Sequence, residues 1–412
     1  MQKFLVPTVS RKLALWLVCA LISATGGWAA IAQTPPIIQK SPPQPNVSPK
    51  PRVKPIVPVK ALAQPGLDDQ IWGSAGQPGD RQALIAAIDH SLRYLQTGQA
   101  AAAYRRYPVP GVTLWRVRRS LHRFRQLVLS AKSAQELQAA VEREFIFWQA
   151  TGKDGQGMVA FTGYYEPIHV ASRVRTEKFR YPIFRLPANF VNWQKPHPTR
   201  LQLEGADGLQ YDRGKLKGWE LAWLPDRLEA FLIQVQGSAR LKLTDSSTMT
   251  IGYAGHTDYP YTGVGRELVK AGKFTLEELT LPRLIQHFQT NPADLDVYLP
   301  RNQRFVFFRE TGGAPATGSI GVPVTLDRSI ATDKALFPPG ALALIQAQLP
   351  YPNAIGQLEQ RFVSRYVLDQ DAGGAIKGPG RVDVFMGTGQ LATDRAGLIN
   401  TNGSLYYLLL KP

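Results

Sequence analysis

A single cysteine, Cys19, stands in 412 residues, and it lies in an apolar stretch near the N-terminus. If that stretch is cleaved, the mature chain has no disulfide and must draw its stability from a buried core. Histidines number six and are scattered, with no HExxH and no CxxC pair, so a metal site has little support. There is no GxSxG elbow and no Walker loop. The stretch GVGREL, from Gly263 to Leu268, has only two of the glycines of a phosphate loop and follows no clear strand, so it reads as structural. Ser238, His256 and Asp258 supply the residue types of a nucleophilic triad, but nothing puts the serine on a strained turn or the aspartate behind the histidine. Acidic residues are scarce: 31 against 48 Lys and Arg, for a formal charge of +17. Residues 1–66 hold eight of the basic residues and no acidic one, which leaves +9 for residues 67–412. Basic residues are not interleaved with aromatics at regular spacing, which argues against nucleic acid; an acidic polymer or an anionic surface fits the charge equally well. No fixed-period repeat is present.

The N-terminus has the pattern of an export signal: Lys3, Arg11 and Lys12, then LALWLVCALI, then Ala30-Ile31-Ala32. Val18 before Cys19 is not the small residue that a lipoprotein signal requires, so cleavage near Ala32 is expected, with an uncleaved anchor as the alternative. Residues 33–66 are rich in proline, which favours extended polyproline II over helix or sheet. They read as a tether or as a disordered leader.

Beyond this segment the pattern predicts three helices. One is capped by Asp80, with Leu84, Ile85, Ile88, Leu92 and Leu95 on its apolar face and Gly98 at its end. A second starts at Thr113, with Leu114, Val117, Leu121, Phe124 and Val128 inward and a solvated face that includes Arg116, Arg118, Arg119, Arg123 and Arg125. The third has a Ser133/Glu136 capping box and carries Leu137, Val141, Phe145 and Trp148. After Gly152 the chain is β-rich. Short apolar runs such as MVAFTGYYEP, AFLIQVQGSARL, RYVLDQD and RVDVFMG alternate with turn residues, which suggests barrels. One helical interruption is expected from Thr275 to about Thr290.

The run RVDVFMGTG places a carboxylate in the middle of a strand. Alternation puts Val382, Val384 and Met386 on the core face, and Asp383 with Phe385 on the other. Glycines flank it, at Gly378, Gly380, Gly387 and Gly389, and leave room for a ligand or another backbone. Asp371, ahead of a Gly-Gly pair, and Asp333, at the end of another strand, are two further candidates. An ordinary Asp titrates near 3.9 and is ionised at neutral pH. Burial or a neighbouring anion would keep Asp383 protonated, as a general acid requires. The alternative is that these aspartates hold backbone amides at tight turns.

The segments SIATDKALFPPG, DQDAGGAIKG and RVDVFMGTG resemble the C-terminal three-aspartate domain of the membrane-bound lytic murein transglycosylase A family. FTGYYEP, VQGSAR, GHTDYPYTGVGREL, FVFFRE and GSIGVPVTLDRSIATD resemble its central region in the same order, so that the likeness covers roughly residues 70–412. It implies a mainly β fold with N-terminal helices: an expansin/barwin-like double-psi β-barrel made of residues 67–166 plus 315–412, with the three-aspartate part at about 320–412. A second β-barrel, residues 167–314, is inserted, and a groove for glycan lies between the two. It also implies a lytic transglycosylase that cuts the β-1,4 bond between N-acetylmuramic acid and N-acetylglucosamine in peptidoglycan and leaves a 1,6-anhydromuramoyl end. Asp383 matches the catalytic position and Asp371 and Asp333 the supporting ones. Thr162, Tyr164 and Tyr165 are expected to touch glycan, and His256 and Asp258 to line the groove without catalysing. No cofactor is implied. Expected partners are glycan strands, with wall-synthesis or wall-hydrolysis proteins as further candidates. The expected location is periplasmic or at the outer membrane or wall. An expansin-like protein that loosens glycan without cutting it is the alternative. A hydrolase would need a second carboxylate, such as Glu166 or Asp258.

Overall fold

The computed structural model of the chain describes residues 54–59, 67–74, 77–276 and 278–412. The export signal and most of the proline-rich segment lie outside the described residues. The part of that segment inside them, Ile56–Val59, is a strand paired antiparallel with Phe145–Ala150, not polyproline II. It is the outermost strand of its sheet, where Pro58 removes no needed donor.

Six strands close into a barrel: β1 (Val159–Glu166), β2 (Ser329–Ala331), β3 (Leu342–Pro352), β4 (Leu358–Asp371), β5 (Arg381–Thr388) and β6 (Asn400–Leu410). Around the ring, β1 neighbours β5, then come β2, β4, β3 and β6, and β6 returns to β1. The β1/β5 and β2/β4 pairs are parallel and the rest antiparallel. Alternation holds along β5: Val382, Val384 and Met386 are buried in the barrel core. Close approach is built in at Gly163 on β1. A Cβ there would lie 2.7 Å from the Cα of Ala396, in the helix Gln390–Gly397. Gly163→Ala must therefore move that helix or β1. It is expected to cost about 1–3 kcal/mol in a denaturant melt; an unchanged midpoint would contradict the packing.

Helices cover the barrel. Leu114–Ser130 buries Val117, Leu121, Phe124 and Val128 as its periodicity requires, and Thr113 caps it by accepting from the Arg116 amide. Its arginines are not simply solvated. Arg123 pairs with Glu144, Arg125 with Asp89, and Arg116 donates to the Leu410 carbonyl. The helix after Asp80 ends at Tyr94; Gly98 opens the next one, Gly98–Arg105, which is capped by Thr97. The third helix stops at Glu144, and Phe145 and Trp148 lie in the strand Phe145–Ala150. There, pairing with β6 and Ile56–Val59 outweighs local helical preference.

Between β1 and β2 the chain forms a four-stranded sheet (Ile168–Ala171, Ser238–Leu243, Thr248–His256 and Val306–Glu310) and a two-stranded pair (Tyr181–Phe184 with Glu220–Leu224). Core residues of the segments before 166 and after 319 share one cluster, and those of 171–308 form three others. AFLIQVQ, expected as strand, is the helix Arg227–Gln236, capped by Asp226 and ended by Gly237 at φ +83°. Leu228, Phe231 and Leu232 pack into one of those clusters, and Ala230 and Ile233 into another. Burial on two sides fills the run with apolar residues and erases its helical period. The helical interruption is shorter than expected, Leu281–Thr290, with Thr280 as its cap. Gly263 is the residue before the helix Val264–Lys270.

Candidate functional site

A cleft of about 700 Å³ is lined from the barrel by Tyr164, Asp371 and Asp383, and from the inserted segment by Ser238, His256 and Arg304. Asp383 lies at the centre of the barrel wall, between Thr162 on β1 and Ala331 on β2. Its side chain keeps 20% of its surface exposed. Its Oδ1 is nonetheless buried and has no hydrogen-bond partner. Arg381 approaches only to 4.0 Å. Burial pushes the Asp383 carboxyl up, Arg381 pulls it partly back and the neighbouring Asp371 raises it again, to about 6. A buried oxygen without a donor costs stability, and such costs are retained where a ligand completes the site.

The other two aspartates hold backbone. Oδ1 of Asp371 accepts from the amides of Ser319 and Ala372, both at 2.8 Å, and so ties the end of β4 to another loop of the cleft. Burial still pushes its carboxyl up, against those amides. Asp333 accepts from the amides of Ala335 at 3.2 Å and Gly378 at 2.9 Å, and so pins the glycine-rich turn that leads into β5. Asp371 and Asp333 thus hold backbone amides at turns, while Asp383 lies outside that arrangement.

Tyr164 lines the cleft with its ring 5.2 Å from that of Phe385. Burial, and then the charges of Asp371 and Asp383, hold its phenol well above the usual range. Thr162 is the register partner of Asp383, and its Oγ1 is also buried without a partner, but it does not line the cleft. Tyr165 departs from expectation. It is 4% exposed and packs in the barrel core, because alternation on β1 turns it away from Tyr164. Ser238 and His256 line the cleft without forming a triad: His256 Nδ1 contacts the Thr257 carbonyl, and Asp258 binds the amide of His197. Asp258 is not on the cleft wall. Glu166 is, but its Oε2 is held by Arg240 at 2.7 Å and by the Thr388 hydroxyl at 2.8 Å.

The sequence reading missed Tyr261, Gln236 and Arg304. Tyr261 is half-buried at the cleft wall, and desolvation followed by the charge of Asp383 raises its phenol. It sits in the stretch that carries His256, where density of tyrosine was the only signal. Gln236 lines the cleft and accepts from the Tyr165 amide across the barrel edge. Among the described residues no group of three His, Cys, Asp or Glu side chains could hold a metal ion.

Comparison with known proteins matches the MltA specific insert domain over residues 160–309 and the 3D domain over residues 328–409. Membrane-bound lytic murein transglycosylase A of Escherichia coli (strain K12) is 31% identical over 268 residues, 64% of this chain and 69% of that protein. The protein of the same name from Vibrio cholerae is 31% identical over 267 residues, 64% and 68% of the two chains. The crystal structure of E. coli MltA with bound chitohexaose superposes with a TM-score of 0.64 at 26% identity, over 87% of this chain and 96% of that one. A membrane-bound lytic murein transglycosylase from Agrobacterium tumefaciens, 24% identical, has the same fold at a TM-score of 0.64 over 84% and 95% of the two chains. By sequence and by architecture, the chain belongs to the membrane-bound lytic murein transglycosylase A family.

Proposed function

We propose that Asp383 serves as both acid and base in a lytic transglycosylase reaction on glycan bound in this cleft. The chain is a peptidoglycan lytic transglycosylase, like the relatives that share its sequence and fold. One observation carries the residue assignment: a carboxyl at about 6, with an unpartnered buried oxygen, at the wall of the cleft.

Protonated Asp383 gives its proton to the oxygen that joins N-acetylmuramic acid to N-acetylglucosamine, and the bond from the muramoyl C1 to that oxygen breaks. The carboxylate then takes the proton of the muramoyl 6-hydroxyl as that oxygen attacks C1. A 1,6-anhydro ring closes, no water is consumed and Asp383 regains its proton. A glycosidase needs a second carboxylate. Here Glu166 is occupied by Arg240 and Thr388, and Asp258 faces His197, so neither competes for that role. Asp371 and Asp333 hold the loops that frame the acid, Asp371 also raises it, and Tyr164 offers a ring to the sugar.

The closed ring with two parallel pairs supports a double-psi barrel of residues 67–166 and 315–412. Single bridges, Ser172 to Trp223 and Arg185 to Phe308, link the two sheets of 167–314 and support an inserted second barrel. The relatives are membrane-bound, and the N-terminal pattern agrees with export to the envelope, periplasmic or wall-associated; among the described residues no helix is long and apolar enough to cross a membrane.

Mass spectrometry of digested sacculi is expected to show anhydromuramoyl ends at every cut; reducing ends with water added would defeat the mechanism. On the same substrate, kcat/KM is expected to fall about tenfold per pH unit above about 6, as Asp383 loses its proton. A flat profile to pH 8 would remove it as the acid.

A further inference from the structure

Arg304 presents to the cleft a cation that no carboxylate among the described residues neutralises. Its backbone is fixed on both sides: its amide donates to Asn302 Oδ1 at 3.2 Å and its carbonyl accepts from Arg200 Nη2 at 2.8 Å. The guanidinium is half-buried, and burial lowers its pKa; the opposing influence is the phenol of Tyr253, not a carboxylate. Among the described residues its side chain makes no ion pair. Of the neighbouring arginines, Arg200 is bound to Glu204 and Gln234, and the more exposed Arg309, likewise without an ion pair among the described residues, donates to the Tyr253 carbonyl. Arg304 also stands apart from the reacting acid, which feels Arg381 and Asp371 instead. The barrel loop packs against it: a Cβ on Gly374 would lie 3.4 Å from its Cζ.

We propose that Arg304 binds a carboxylate carried by the muramoyl side arm, either the lactyl carboxylate of a peptide-free sugar or a carboxylate of the attached peptide. This rests on the glycan-cleaving function of the cleft. A half-buried guanidinium has given up part of its hydration, and its planar donors match a carboxylate in two hydrogen bonds. The sugar rings of the strand are neutral. The lactyl ether and its peptide are the parts of the substrate that bring negative charge to such a site.

Binding is measured in an Asp383→Asn background, where turnover does not interfere. Three probes are used: chitohexaose without a carboxylate, a peptide-free murein oligosaccharide, and the same oligosaccharide with its peptides. Arg304→Gln is expected to raise Kd about tenfold for a carboxylate-bearing probe relative to chitohexaose, and Arg304→Lys to restore part of the difference. The probe that responds identifies the source of the carboxylate. In the protein with Arg304 intact, raising ionic strength from about 0.05 to about 0.5 M should weaken that probe more than chitohexaose. An equal change for all three probes, or equal salt dependence, would overturn the proposal and leave Arg304 as part of the wall. If chitohexaose does not bind even with Arg304 intact, the glycan cleft itself is wrong and this inference falls with it.

Discussion

Asp383→Asn is expected to lower kcat by about 10²–10⁴-fold while leaving glycan binding largely intact. The upper end of that range is the natural expectation, because in the proposed mechanism one carboxyl makes both proton transfers and the amide can make neither. The same substitution should stabilise the fold at neutral pH. In the folded state Asp383 keeps its proton to about 6, against an ordinary value of 3.8. Between those values the folded chain binds more protons than the unfolded chain, so stability declines as pH rises and the loss is complete above about 6. The full shift corresponds to up to about 3 kcal/mol, reduced by the part of the side chain that reaches water. Asparagine does not titrate. Its advantage over aspartate should therefore be present at pH 7 and gone below about pH 4, where both side chains are neutral. Thermal melts at the two pH values, run beside a sacculus assay, check both halves. Wild-type turnover in the variant would remove Asp383 from its role. A stability difference independent of pH would mean that its carboxyl is not held protonated by the fold.

Arg328→Met is expected to produce the largest loss of stability, about 3–5 kcal/mol. Arg328 is fully buried beneath the barrel wall. It holds Asp80 through two nitrogens at 2.7 and 2.5 Å, reaches Asp68 at 2.5 Å, and donates to the Tyr366 carbonyl at 2.9 Å. Asp68 in turn accepts from the Tyr366 amide and from Arg365. The network ties Asp68 and Asp80 to the barrel and fixes the start of β2, whose Ala331 sits beside Asp383. Removing the arginine takes the main counter-charge from two carboxylates, leaving Asp68 to Arg365 and the Tyr366 amide and Asp80 to the Gln70 amide alone. Replacing Arg328 and Asp80 together by apolar residues should recover part of the loss, since Asp68 is still held by Arg365 and the Tyr366 amide. Denaturant titrations of the single and double variants decide this; a single variant within about 1 kcal/mol of wild type would show that the network is not a structural anchor.

The anchor was not legible in the sequence. Asp80 looked like a helix cap, yet its side chain makes no capping bond and is spent on Arg328, 248 positions away. The apolar face of Leu114–Ser130 and the alternation along β5 that turns Asp383 away from the core are legible locally. Both depend on the repeat of a single element, 3.6 residues in a helix and two in a strand. Errors fell where two partners claim one segment. The helix Arg227–Gln236 is apolar on both sides, and Phe145 joins a sheet whose partners come from opposite ends of the chain.

Alone, the sequence determined the strand that carries Asp383, the glycine-framed turns around it and the family to which they belong, because these follow from local alternation and motif order. Only the tertiary structure decided that Tyr165 lies in the core, that Glu166 is already paired, and that Arg304 has no ion pair among the described residues. Burial and charge pairing are properties of what the fold brings alongside, and spacing along a chain does not encode them.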